Sequence, residues 1–157
     1  MAPQIDPDKV VYSPIGVVCN RFKEPGDPKT LRNAESVLVL NEVYEGALEG
    51  LDRFRYLLIV YHIDRSPGYH ERVHPMGDRS LPERGVLATR SPCRPNPIGV
   101  TVAEILSVEG NKIRVTGLDA LNGTPILDIK PYEEHFDSPA GIEKERDPVY
   151  SPSDGPH

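Results

Sequence analysis

Proline occupies 17 of the 157 positions, about twice the usual share of about 5%. Each proline fixes its own φ, holds the residue before it extended and removes a backbone donor. Such punctuation favours short extended segments, and the runs between the prolines read that way. VVYSPIGVV (10–18) fits an edge strand or a strand entry, and SVLVL (36–40) is a short apolar strand. FRYLLIVYHI (54–63) is the strongest apolar run; it lacks clean alternation and reads as a central strand buried on both faces. GVLATR (85–90) reads as another strand, IGVTVAEILSVEG and NKIRVTGLD as a hairpin turning at 109–112, and GTPILDIKPY (123–132) as a last strand. The one helical pattern, YEGALEGLDRF (44–54), is weakened by two glycines. Residues 22–35 are polar and turn-rich, and 64–83 form a loop long enough to be functional or mobile.

One echo links two of these strands. Ser13-Pro14-Ile15-Gly16-Val17 and Asn96-Pro97-Ile98-Gly99-Val100 enter a strand in the same way, as the rims of a small barrel would. No α/β rhythm and no GxGxxG after a strand occur, which argues against a Rossmann domain. The expected fold is mainly β: a small single-domain barrel over residues 1–137 with short helices and long loops. Residues 138–157 read as a tail docked on the domain or on a partner subunit.

At 38% hydrophobic and 27% charged residues, the composition is that of a water-soluble globular domain. No apolar run has the length of a membrane span, and the first residues lack a signal-peptide pattern, so a cytoplasmic location is expected. Cys19 and Cys93 make no disulfide framework; free thiols are expected, with a single bridge left open. Charge is unevenly spread. Arg53 to Arg94 holds eight arginines, no lysine and four acids, so that window carries +4 and the rest −10, against a total of −6. The window is either ordinary surface salt bridging or an arginine-lined face for phosphate or carboxylate.

RSPCRPNPIG (90–99) lies at the end of this window. Its prolines hold Ser91, Arg94 and Asn96 extended, and Gly99 permits a close approach as the next strand begins. It is either a stiff loop presenting Arg90 and Arg94 to a ligand or a rigid barrel corner. In LDALNGTPILDIKPY (118–132), Asp119, Asp128 and Lys130 sit near strand ends, where polar groups converge on a ligand or cap turns. His70 and His74 have HxxxH spacing but lie among Pro67, Gly68, Pro75 and Gly77, in a loop rather than on a helix, so no metal site is expected. His62 ends the strongest strand and is better placed for a ligand.

ATRSPCRPNPIGV followed by GLDALNGTPILDIKPY resembles the two signature blocks of the TrmO (YaeB/TsaA-like) family, and the resemblance runs from about Tyr12 to Asp137. It implies a non-Rossmann β-barrel methyltransferase that uses S-adenosyl-L-methionine to methylate N6 of threonylcarbamoyladenosine beside the anticodon of tRNA. It also implies a homodimer with the cofactor near the subunit interface. By that resemblance Arg90 contacts the cofactor, Leu118, Asp119, Ala120 and Leu121 line its adenosine, and His62 and Ile63 end the central strand beside it. Arg94, Asn96 and Lys130 are the expected substrate contacts. Asp119 and Asp128 are the two candidate bases, with no choice between them. Three departures stand out: Ile63 and Asn122 replace a glutamine and an acid frequent in the family, and Cys19-Asn20-Arg21-Phe22 departs from its Arg-Ser-Pro. The chain ends soon after IKPY, where longer bacterial members carry an extension. Rival expectations are a barrel dimer acting on another substrate, a non-catalytic module that binds S-adenosylmethionine, and a purely structural dimer.

Overall fold

The computed structural model describes residues 6–138. In chain order these form β1 (Gly16–Cys19), α1 (Pro28–Arg32), β2 (Glu35–Leu40), β3 (Tyr56–His62), β4 (Arg72–Val73), β5 (Arg84–Gly85), β6 (Ile98–Glu109), β7 (Lys112–Thr116), β8 (Pro125–Pro131) and α2 (Glu134–Asp137). Six strands close into an antiparallel barrel in the order β1-β2-β7-β6-β3-β8, and β4 and β5 form a separate two-stranded ribbon. The mainly β, barrel-like expectation holds. The tail assigned to 138–157 lies, after Ser138, outside the described residues. Among the described residues no helix is long and apolar enough to cross a membrane.

The barrel encloses Val18, Leu38, Leu57, Ile59, Ile113, Leu118 and Ile126, all fully inaccessible to solvent. Closure gives each strand one inner and one outer face, which corrects the reading of β3 as buried on both. Leu57, Ile59 and Tyr61 point inward, while Leu58 and Val60 face outward and stay half-buried. The two Pro-Ile-Gly-Val echoes do open barrel strands, and each glycine is there for space. A Cβ on Gly16 would stand 2.8 Å from Leu40 Cα and closer still to the Val39 carbonyl oxygen. One on Gly99 would strike the Tyr61 ring, which lies across it.

Other boundaries move for local reasons. The strand read over 10–18 begins only at Gly16; Val10, Val11 and Tyr12 are exposed and unpaired with any strand. The strand read over 85–90 is a 3-10 turn at Val86–Ala88, because the Thr89 amide and hydroxyl both donate to the Val86 carbonyl, at 3.1 and 2.7 Å. The helix read over 44–54 is two 3-10 segments, Glu42–Leu48 and Leu51–Arg53, parted by Gly50 at φ 88°. The 98–116 hairpin forms as read. Cys19 and Cys93 are both free thiols.

One irregularity decides where two candidate residues go. Opposite β3, the register of β8 shifts between Val60, which faces Asp128, and Tyr61, which faces Ile126. Leu127 is therefore a bulge, and it inverts the facing of the residues after it. Ile126 points in; Asp128 and Lys130 both point out and pair with each other at 2.7 Å.

Candidate functional site

Four connections gather over one end of the barrel: the β1–β2 link carrying α1, the Ile63–Arg65 turn after β3, the Arg90–Arg94 loop entering β6, and the Asp119–Thr124 loop between β7 and β8. Between them lies a cleft of about 680 Å³. Backbone hydrogen bonds and two asparagines join its walls. Asn20 Nδ2 donates to the Ala120 carbonyl (2.9 Å) and to Ser36 Oγ (3.1 Å). Asn122 Oδ1 accepts from the Asn20 amide (3.0 Å), and the Asn122 amide donates to the Phe22 carbonyl (2.7 Å). An acceptor is what position 122 must supply, and an asparagine does so as a carboxylate would. Arg65 spans three walls, donating to the Lys23 carbonyl (3.2 Å) and to the Asn122 carbonyl.

The cleft is lined by Arg32, Arg65, Arg90 and Arg94 against the acids Asp64 and Asp119. These arginines do different things. Arg32, from the end of α1, pairs with Asp119 at 3.2 Å. Arg94 turns onto its own loop: one Nη donates to the Thr89 carbonyl at 2.6 Å and lies at the limit of hydrogen bonding to those of Ser91 (3.4 Å) and Val86 (3.5 Å). Among the described residues, Arg90 has no hydrogen-bond or ion-pair partner. It is exposed at the cleft edge, the one arginine of the four with its whole fork available. The loop between them is held by Ser66 Oγ on the Pro92 carbonyl (2.7 Å) and by the His70 amide on the Cys93 carbonyl (3.0 Å). Both readings of RSPCRPNPIG thus have a physical counterpart: a rigid corner braced by Arg94, with Arg90 at its open end.

Ile63, Arg90, Arg94, Asp119, Ala120 and Leu121 come together in this cleft. Leu118 lies beneath it, fully buried, as the anchor of the β7–β8 loop. His62 and Asn96 are exposed and do not line it. Asp128 and Lys130 are elsewhere, on the outer face of β8, and their contact pushes the Lys130 ammonium pKa up through a direct hydrogen bond and charge attraction. Of the two candidate carboxylates only Asp119 is in the cleft. Sequence reading missed Arg32, Tyr61 and Thr101, which also line it. Arg65 was counted in the basic window but not singled out. Tyr61 is 7% exposed, and its hydroxyl meets Thr101 Oγ1 (3.0 Å) and the Asp119 carbonyl (2.9 Å). Burial pushes its phenol pKa up. Among the described residues no three His, Cys, Asp or Glu side chains gather as a metal-binding group.

Residues 16–138 match the family described as the tRNA-methyltransferase O N-terminal domain. An S-adenosyl-L-methionine-binding protein of Archaeoglobus fulgidus is 40% identical over 131 residues, covering 82% of this chain and 93% of that protein. A tRNA (adenine(37)-N6)-methyltransferase of Rattus norvegicus is 33% identical over 151 residues, covering 90% of this chain but 35% of its own length. Among solved structures, TrmO from Pseudomonas aeruginosa superposes with a TM-score of 0.70 at 30% identity, covering 90% of this chain and 63% of that one.

Proposed function

The chain belongs to the tRNA-methyltransferase O N-terminal domain family, and on that premise we propose that it is an S-adenosyl-L-methionine-dependent methyltransferase acting on N6 of threonylcarbamoyladenosine beside the anticodon of tRNA. The observation that carries this reading is the cleft, where Arg90, Asp119, Ala120 and Leu121 meet although the sequence separates them. Its volume falls within the range of about 300–1,000 Å³ usual for small-molecule and cofactor sites. Ile63, Ala120 and Leu121 offer an apolar wall for a purine, and the unpartnered Arg90 fork suits a carboxylate. The residues present therefore fit the cofactor.

When bound, S-adenosylmethionine supplies an electrophilic methyl group, which moves to N6 as the sulfonium becomes a neutral thioether and the N6 proton leaves. The protein's part is alignment and charge. Positioning the two reactants supplies most of the acceleration in such a transfer. Asp119, half-buried and held by Arg32, is the carboxylate placed to receive the N6 proton. Further arginines in the 53–94 window, outside the cleft, offer phosphate contacts that offset the acidic net charge of the chain. The chain spans about a third of the rat methyltransferase and under two thirds of the Pseudomonas protein. Radiolabelled methyl transfer to total tRNA, followed by nucleoside analysis, should place label on N6-methylated threonylcarbamoyladenosine. Binding of S-adenosylmethionine without transfer would favour the second reading, a binding module, which the name of the Archaeoglobus relative supports.

A homodimer belongs to the same proposal. Ile98, Val100 and Val102 on the outer face of β6 are each more than 40% exposed, and they run beside the outward Leu58 and Val60 of β3. A monomer rarely leaves such a stripe open to water. Ile98 and Val100 also line the cleft, so a second copy seated there would wall it. Sedimentation at micromolar concentration should give about twice the 17.4 kDa of one chain, and Val102→Glu should return it to the monomer.

A further inference from the structure

Tyr61 is the only side chain that reaches from the barrel wall to the backbone of Asp119 among the described residues. Its ring is pinned: it lies across Gly99 of the neighbouring strand, where even a Cβ would be 2.9 Å or less from Cδ2, Cε2 and Cζ. A carbonyl oxygen accepts only and a phenol has one proton, so Tyr61 must donate to Asp119 and accept from Thr101. The direction of this short relay is therefore fixed. It stays intact while the phenol keeps its proton, and burial extends that range above the ordinary phenol value of 10.0. Asp119 is thus clamped twice, at its carboxylate by Arg32 from a short helix and at its carbonyl by Tyr61 from the barrel. The first clamp is half-exposed and can rearrange; the second is buried.

We propose that Tyr61 is a positioning residue, which fixes the Asp119 peptide and thereby aims the Asp119 carboxylate and the Ala120–Leu121 wall into the cleft. This rests on the reading of the cleft as the cofactor site. Tyr61→Phe keeps the ring over Gly99 and removes only the hydroxyl, with its bond to Asp119 and its acceptance from Thr101. The first measurement needs no ligand. The amides of Asn122, Gly123 and Thr124 donate to the carbonyls of Phe22 in the β1–β2 connection, Val18 in β1 and Leu121 in the loop itself. In Tyr61→Phe their hydrogen exchange should speed up about tenfold, while those of Ile113 and Val115 in the barrel stay unchanged. The second is calorimetry with S-adenosylmethionine, where the dissociation constant should rise about tenfold, the effect of one lost hydrogen bond at about 1.4 kcal/mol. Asp119→Ala removes the carboxylate but keeps the carbonyl that Tyr61 holds, so in that background the same change should still weaken affinity through the Ala120–Leu121 wall but by clearly less than tenfold, whereas a merely structural role would add its full cost. Thr101→Val should act in the same direction and more weakly. Faster loop exchange in a protein whose wild type does not bind S-adenosylmethionine would remove the cofactor reading and leave the clamp standing. Unchanged loop exchange, faster exchange throughout the barrel, or unchanged affinity beside a wild type that binds would each overturn the proposal.

Discussion

Gly16→Ala should lower the thermal midpoint by about 6–12 °C. The added methyl would meet the backbone of β2, at the Val39 carbonyl oxygen and Leu40 Cα, as well as the Leu40 side chain, and the backbone cannot rotate away. Relief requires moving one strand of a closed barrel, so the cost belongs at the upper end of overpacking penalties, about 3 kcal/mol. For a domain of this size each kcal/mol is worth about 2–4 °C. Gly46→Ala is the control, because a Cβ there meets nothing within 4 Å. Scanning calorimetry on the two variants checks the prediction. Equal midpoints would mean that β1 is not seated against β2 as described.

Arg90→Ala should weaken S-adenosylmethionine binding about 30-fold while leaving the thermal midpoint of the free protein nearly unchanged. The guanidinium makes no internal hydrogen bond or ion pair among the described residues, so its removal orphans nothing in the fold. Its value is realised only on a ligand, where a charge-assisted contact is worth about 2 kcal/mol. Arg94→Ala should show the opposite balance. One of its Nη atoms braces the Thr89 carbonyl at 2.6 Å, with those of Ser91 and Val86 at the limit of hydrogen bonding, so on its removal the loop loosens and stability falls before affinity does. Calorimetry and thermal unfolding on both variants separate the roles. A stable Arg94→Ala that loses binding as fully as Arg90→Ala would return Arg94 to the ligand.

These two arginines mark the limit of what the sequence discloses. They are of one type, four positions apart, in a loop whose stiffness comes from its prolines. What divides them is which backbone carbonyls lie within reach, and that depends on how the loop folds over Val86 and Thr89. The β6–β7 hairpin was legible because Ile113 and Val115 alternate with charged residues. The barrel was suggested by the repeated Pro-Ile-Gly-Val strand entries and by the family blocks. Arg90 and Asp119 were candidates from the residues themselves, one in a stiff loop and one near a strand end, whereas the Ala120–Leu121 wall was legible only through the family blocks. Asp128 was not separable from Asp119, because the bulge that turns it outward is one unremarkable leucine whose extra place shows only against the register of β3. Tyr61 was hidden in another way: within FRYLLIVYHI it reads as one more large residue, and its hydroxyl gains meaning only when β6 and the β7–β8 loop arrive around it.

The seam that closes the barrel also sets an order of events during synthesis. β1 meets β2 within the same local stretch, Gly16 facing Leu40, but its other edge pairs with β8 at only two positions, Gly16 with Ile126 and Val17 with Pro125. Ribosomes add about 5–20 residues per second, so the first strand waits several seconds or more for its second neighbour. Until then it presents an unsatisfied edge, the feature through which nascent chains pair with one another. Closure across so long a span is also the slowest kind of contact to form. The nascent barrel is therefore most vulnerable to aggregation before β8 is made, and any chain interrupted ahead of Pro125 keeps that edge open.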